Sequence, residues 1–219
     1  MSNEAGHPTF LVVLAGPSGA GKTSIGLEMV KRDESVRFSI SATTRPKREG
    51  EEDGVHYFFI DDARFERMRQ EGQFVEWAEV HGHRYGTPRS FLDECLARGE
   101  TVLLDIDVQG AEQIHQAFPD AIMIFVAPPS MEALEKRLRT RGTEAEEVLV
   151  GRMGVALDEM KAMERFTHVV VNDVFARATG VVQGIIEAER CRVERLKAVG
   201  LMKKMLNEFK TADAEEVSR

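Results

Sequence analysis

The sequence predicts an α/β fold: a parallel core sheet covered by helices on both faces, a small antiparallel insertion, and a helical lid. Three observations predict it. The apolar run Phe10 to Ala15 leads through a glycine-rich turn straight into a helical pattern. From about residue 88 onward, strand-length apolar runs alternate with helical periodicity, as in successive βαβ units. Between these stretches, roughly Ser41 to Thr87, several short strands follow one another without long helices, unlike a parallel repeat. The chain is therefore read as one domain over residues 1–219. Its core lies at about 8–40, 88–135 and 165–195, the insertion at about 41–87 and the lid at about 136–160. A helical extension takes up about 196–219.

The first strand, Phe10-Leu11-Val12-Val13-Leu14-Ala15, is apolar throughout, as expected of a strand buried on both faces. It ends at Gly16-Pro17-Ser18-Gly19-Ala20-Gly21-Lys22-Thr23, which fits G-x-x-x-x-G-K-[ST], the P-loop pattern. Ser24 to Arg32 continues as a helix with Ile25, Leu27, Met29 and Val30 as its apolar residues. Glycines let the backbone wrap closely round a phosphate with its N–H groups inward. The helix N-terminus adds partial positive charge. Lys22 can reach β- and γ-phosphates, and the Thr23 hydroxyl can ligate Mg²⁺. The ligand this implies is a purine nucleoside triphosphate on Mg²⁺. The fold is then a P-loop NTPase fold with α/β/α layers.

Next comes a short strand, Arg37 to Ala42, with Phe38 and Ile40 on its buried face. The loop Thr43 to Gly54 is polar, broken by Pro46 and Gly50, and dense in charge. Arg45 and Arg48 flank a proline that fixes the local backbone, which suits holding a small anion. Val55 to Ile60 reads as a strand. Asp61-Asp62 caps a helix to about Glu71, with Phe65 and Met68 on one face. Gln73 to His81 is a further strand, and Gly82 to Thr87 turns out of it. Pro88 starts a helix with Phe91, Leu92, Cys95 and Leu96 as its apolar face.

Glu100 to Ile106 is an apolar strand running into Asp105 and Asp107. A P-loop fold uses an acidic residue there to support Mg²⁺, while Asp107 also suits a helix cap. Ala121 to Ala127 is a buried strand closed by Pro128-Pro129, and Ser130 starts a helix carrying Leu134 and Leu138. Arg137, Arg139, Arg141 and Arg152 follow, with Arg137 and Arg141 on one face at i,i+4 spacing. In a phosphoryl-transfer enzyme such a stretch can be a lid that brings guanidinium groups over the moving phosphate. A last strand, Thr167 to Val171, leads to Asn172-Asp173 and a long helix from Phe175. Leu196 to Arg219 is amphipathic, with Leu201, Met202, Met205, Leu206 and Phe209.

Composition narrows the classes. With 219 residues, 42% hydrophobic and 30% charged, the chain has room for a full core. Its net charge of -8 argues against a general nucleic-acid surface. Cys95 and Cys191 have no metal-ligand or CxxC spacing, which fits a reduced cytoplasmic protein. No apolar run approaches the roughly 20 residues a membrane span needs, and Met1 to Thr9 is polar.

Taken together these residues resemble the guanylate kinases, over about Phe10 to Ala188. The motifs are GPSGAGKT (Gly16 to Thr23), SATTRPKREGEEDGVHYFF (Ser41 to Phe59) and FVEWAEVHGHRYGTP (Phe74 to Pro88). LLDIDVQG (Leu103 to Gly110), APPS (Ala127 to Ser130), RGTE (Arg141 to Glu144) and VVND (Val170 to Asp173) follow in the family's order. The resemblance implies ATP:GMP phosphotransfer on a five-stranded parallel core with a GMP-binding insertion and a lid. It places Ser41, Glu76, Thr87 and Asp107 on guanine. It places Arg45, Arg48, Tyr57 and Tyr85 on the GMP phosphate, with Glu51 in the same site. Asp105 and Thr23 would serve Mg²⁺, and Gly16 to Thr23 would cradle ATP with Asn172 near the adenine. Lys22, Arg45, Arg137, Arg141 and Arg152 would surround the transferred phosphate. Thr87 stands where some members have serine, keeping the hydroxyl.

The chemistry agrees with that assignment. Guanine presents donors at N1 and N2, which suit a carboxylate such as Glu76, and an acceptor at O6, which suits a hydroxyl such as Ser41 or Thr87. The expected partners are the small molecules ATP and GMP, not nucleic acid or membrane, and self-association is left open. Two alternatives stand beside this reading. One is a non-catalytic binding module, as in scaffold proteins that reuse the GMP site for peptides and tend to degrade the P-loop. The other is a different P-loop nucleoside monophosphate kinase. Intact Lys22, Thr23 and Asp105 weigh against the first, and Glu76 with the Arg45/Arg48 loop against the second.

Overall fold

The computed structural model describes residues 8–80, 82–141, 146–198 and 200. The polar N-terminal stretch before Pro8 and the amphipathic extension from Leu201 on lie outside the described residues.

The core is a five-stranded sheet in the order β2-β7-β1-β8-β9, parallel throughout. Its strands are β1 (Leu11–Ala15), β2 (Val36–Phe38), β7 (Thr101–Asp105), β8 (Ile122–Ala127) and β9 (His168–Val171). Side chains alternate across a strand, so β1 feeds two cores at once. Val12 and Leu14 pack with α1 (Lys22–Arg32) and α7 (Phe175–Arg190) through Ile25, Met29, Val182 and Ile186. Leu11 and Val13 pack on the other side with α3 (Arg89–Ala97) and α4 (Val108–Ala117) through Leu92, Cys95 and Ile114. That two-sided burial is why β1 and β8 read as unbroken apolar runs.

Register decides where function can sit. Leu14 pairs with Asp105, Ala15 with Phe125 and Ala127 with Val171. The carboxyl ends of β1, β7, β8 and β9 therefore finish side by side. The turns after them, at Gly16, Ile106, Pro128 and Asn172, open on one crevice, the place where open α/β sheets bind ligands.

The insertion holds a second sheet, β4-β3-β6-β5, made of β3 (Ala42–Thr43), β4 (Phe58–Phe59), β5 (Phe74–Val80) and β6 (His83–Pro88). The insertion departs from the sequence pattern in four places. Arg37 to Ala42 is not one strand: β2 ends at Phe38, and the chain crosses to the second sheet before β3. Only Phe58–Phe59 of Val55 to Ile60 is strand, because the preceding residues turn. The stretch read as a turn, Gly82 to Thr87, is mostly β6, paired antiparallel with β5. The β3–β4 pair is parallel, so the small sheet is mixed rather than purely antiparallel. Two-residue strands offer no periodicity to read, and their pairing is a tertiary event.

The insertion's core is small. Ala42, Phe65 and Phe74 are buried together, Phe65 coming from α2 (Asp62–Gln70), and the two phenyl rings lie 4.6 Å apart. Asp61 caps α2 by accepting from the Arg64 N–H at 2.7 Å. Gln113 of α4 ties the insertion to the core: its amide donates to the Trp77 carbonyl at 2.8 Å and its oxygen accepts from the Trp77 N–H at 3.2 Å. After β8 come α5 (Met131–Arg141) and α6 (Glu146–Lys161), which pack through Leu134, Leu138, Leu149 and Ala156. A single 3-10 turn, Ala162–Arg165, returns the chain to β9, and α8 (Val193–Ala198) closes the described fold.

Candidate active site

The glycine turn follows β1 and ends at the first residue of α1. Gly16 has φ +130°, and a Cβ there would meet the Val126 carbonyl oxygen at 2.4 Å, so only glycine fits. The Lys22 ammonium donates back to the Gly16 carbonyl at 2.6 Å and to the Pro17 carbonyl at 3.3 Å. Thr23 donates its hydroxyl to Asp105 across the gap between α1 and β7. Those two oxygens form a hard donor pair of the kind Mg²⁺ takes. Among the described residues no cluster of three or more His, Cys, Asp or Glu could hold a metal. An ion at Thr23 and Asp105 would thus complete its shell with phosphate oxygens and water.

Asn172 is placed differently from the expectation of a residue beside adenine. It is buried, and its amide donates to the Ala20 carbonyl at 2.7 Å. Its own carbonyl accepts from Arg137 at 2.7 Å. Asn172 therefore braces the glycine turn from β9 and has its amide protons turned into the protein. Arg152 of α6 donates to the Ser18 hydroxyl at 3.1 Å, which brings a second guanidinium to the loop. The side chain of Arg141 lies outside the described residues.

A row of polar side chains crosses the second sheet. Glu76 of β5 pairs in register with Thr87 of β6, and Ala42 pairs with Gly86, so one step back Ser41 falls beside Thr87. All three are buried. Thr87 donates its hydroxyl to Glu76 at 2.6 Å. On the β5 inner row Glu76 sits between Phe74 and Ala78, where an apolar residue would serve the fold better. Gly110, in the first turn of α4, allows this: a Cβ there would lie 2.4 Å from a Glu76 carboxylate oxygen.

Burial pushes the Glu76 pKa up to about 7, with the Asp107 charge adding to the rise and the Thr87 hydroxyl opposing it. Asp107 is also raised by burial, against the lowering pull of the Gly110 N–H and Lys22. It caps α4, as its sequence position suggested, by accepting from the Gly110 N–H at 2.8 Å, and it lies next to Glu76 at the mouth of the crevice, where the resemblance had set it.

The loop expected to hold an anion is built around Arg45. Arg45 makes a two-pronged pair with Glu51 at 2.7 and 3.0 Å and lies 5.4 Å from the Tyr57 ring centre. Tyr57 and Tyr85 meet edge to face at 5.9 Å. Burial acts to raise the Glu51 pKa, but the Arg45 pair and the Arg48 N–H overcome it and leave it lowered. Burial, then the nearby Asp105 charge, raises the Tyr57 pKa, so its hydroxyl stays a donor. Arg48 joins through its backbone, which donates to Glu51 at 2.7 Å, while its side chain is exposed.

One acidic residue was missed by the sequence reading. Glu159, on α6, is partly buried and is coupled electrostatically to both Lys22 and Asp107. Burial pushes its pKa up to about 7; Asp107 raises it further and Lys22 lowers it. The only sequence signal was its spacing of seven from Arg152, two helical turns on the same stripe.

Comparison with known proteins places the site in context. Residues 9–189 match the guanylate kinase family. A guanylate kinase of Sphingopyxis alaskensis is 46% identical over 207 residues, covering 94% of each chain. One from Myxococcus xanthus is 48% identical over 190 residues, 86% of this chain and 91% of its own. The crystal structure of guanylate kinase from Anaplasma phagocytophilum superposes with a TM-score of 0.72 at 29% identity, over 89% of this chain and 94% of that one.

Proposed function

The chain belongs to the guanylate kinase family, and from that premise we propose how its residues carry the γ-phosphate of ATP to GMP. The protein is an ATP:GMP phosphotransferase, giving ADP and GDP. The observation that supports guanine as the base is the buried Glu76 carboxylate beside Asp107. Two acceptors there match the N1 and N2 donors of guanine and oppose the acceptor N1 of adenine. The Thr87 proton is committed to Glu76, which leaves Ser41 to donate to O6.

Arg45, aimed by Glu51, grips the GMP phosphate with Arg48 and the hydroxyls of Tyr57 and Tyr85. The backbone N–H groups between Gly16 and Thr23, Pro17 having none, receive the ATP phosphates, and Lys22 transfers its donors from the Gly16 and Pro17 carbonyls to β- and γ-oxygens. Mg²⁺ held at Thr23 and Asp105 would neutralise charge on those phosphates. The nucleophile is a phosphate oxygen already ionised, so no general base is required. Arg137 of α5 and Arg152 of α6 balance charge on the moving phosphoryl group, the role the resemblance also implies for Arg141. They and Arg45 come from separate segments, so the insertion (41–87) and the lid (136–160) close over the crevice when both nucleotides bind. Small-angle scattering with a bisubstrate analogue should show a smaller radius of gyration, and an unchanged radius counts against closure.

Among the described residues no helix is long and apolar enough to cross a membrane. Cys95 and Cys191 are free thiols, which supports placing the protein in a reducing cytoplasm. The central test is an ADP-release assay with each nucleoside monophosphate in turn. GMP should support turnover, while AMP, CMP and UMP stay near background. Equal turnover with AMP would overturn the assignment of the base site.

A further inference from the structure

We propose that the Glu159 carboxylate accepts a hydrogen bond from a ribose hydroxyl of GMP, so that the site reads the sugar as well as the base. This rests on the GMP-kinase reading above. The geometry begins with α6. Arg152, Ala156 and Glu159 lie at spacings of four and three, one stripe of the helix. Ala156 is buried against α5, and Arg152 reaches Ser18 of the P-loop at 3.1 Å. That stripe therefore faces the crevice. Glu159 stands two turns, about 10 Å, further along it. There its charge is felt by Lys22 on the phosphate side and by Asp107 on the base side. The ribose of a bound acceptor has to lie between those two sides.

Chemical matching singles out the ligand atoms. A carboxylate accepts and does not donate. In its ionised form it is repelled by phosphate oxygens and offers nothing to guanine O6. The donors of GMP are N1, N2 and the two ribose hydroxyls. Glu76 and Asp107, neighbours at the mouth of the crevice, already serve the base edge. Among the described residues, Glu159 makes no hydrogen bond of its own, although it is partly buried. A partly buried acceptor without a donor is unfavourable until one arrives, and a hydroxyl is the donor left unmatched.

The experiment is steady-state kinetics on the full chain with GMP, 2′-deoxy-GMP and 3′-deoxy-GMP at saturating ATP, for the unaltered protein, Glu159→Ala and Glu159→Gln. Losing a hydrogen bond to a charged group should lower kcat/KM of the unaltered protein by about tenfold to a hundredfold for one deoxy substrate. In Glu159→Ala the ratio of GMP to that substrate should fall towards one, because GMP loses the contact that the deoxy nucleotide never had. Damage to the fold would lower both substrates and keep the ratio, which overturns the proposal. So does the absence of any deoxy penalty in the unaltered protein, a measurement that needs no variant. A second arm varies 2′-deoxy- and 3′-deoxy-ATP at saturating GMP. If the penalty erased by Glu159→Ala lies in that arm, the assignment to GMP is wrong. If the unaltered protein turns over no GMP at all, the parent reading fails, and this proposal fails with it.

Discussion

On the proposed reading, the two halves of the crevice recognise their ligands with different materials. The phosphate half is mostly backbone: a glycine turn on the end of a strand whose five residues are all buried in a core shared with four helices. The base half is side chains: Ser41, Glu76 and Thr87 in a row on a small sheet whose own core is three buried residues. Backbone N–H groups survive every substitution except proline, and they bind phosphate whatever it is attached to. Buried side chains select one base, and each is a single point of failure. The comparison teaches that grip and selectivity in this protein are held by separate parts with separate sensitivities.

The sharpest way to break that comparison is Glu76→Gln. The amide puts a donor where guanine also donates. We expect kcat/KM for GMP to fall by about 10²–10³-fold with the KM for ATP within about twofold, measured by varying each substrate at saturating concentrations of the other. Equal losses for both nucleotides would mean that the halves are not separable. Lys22→Ala should do the converse. It removes the ammonium that the glycine turn holds for the phosphates, so kcat should fall by about 10²-fold or more while the KM for GMP holds. The melting temperature should change little, because the Lys22 ammonium bonds within the glycine turn, to the Gly16 and Pro17 carbonyls.

Asn172→Ala probes how far backbone recognition depends on a brace. The Ala20 carbonyl would be left buried and without its donor, a cost of about 1–3 kcal/mol that the loop would relieve by shifting. An increase of about tenfold in the KM for ATP is expected, with GMP affected less. An unchanged KM would show that the glycine turn holds its shape alone.

The smallest expected effect separates the halves by pH. The raised pKa of Glu76, about 7, means that the carboxylate needed by guanine is only partly formed at neutral pH. As pH rises from 6 to 8 the acceptor form grows, so the KM for GMP should improve severalfold, and Glu76→Gln should flatten most of that change. The sign for stability is opposite. A carboxyl raised from 4.5 to about 7 on folding adds stability below pH 4.5 that is lost as pH rises through 7. The ligand-free protein should therefore melt at a slightly lower temperature at pH 7.5 than at pH 5.5 on this group's account. A KM for GMP that worsens with rising pH would contradict the role given to Glu76.

Much of the phosphate half was legible in the sequence because it is local. Gly16 to Thr23 is one turn between a strand and a helix, and eight consecutive residues carry its pattern. The buried strands were equally legible: residues packed on both faces must be apolar at every position, and β1, β7 and β8 are nearly so. The insertion was harder. The crossing from β2 to β3 and the two-residue β4 have no period to detect, and the strand β6 was read as a turn because His83, Arg84, Tyr85 and Gly86 look like one.

The sequence by itself determined which chemistries were at hand: the P-loop, the arginines, and a carboxylate on a strand position where the fold would prefer an apolar side chain. Tertiary structure decided how they are spent. It brought Glu76, Thr87 and Asp107 together from three elements, turned the Asn172 amide into a brace for Ala20, and set Glu159 across from Lys22 and Asp107. The physical reason is range. A turn and a periodic helix are set by neighbours a few residues apart. Burial, strand register and the field of a distant charge exist only once the chain has folded, and those three effects raise the pKa of Glu76 and single out Glu159.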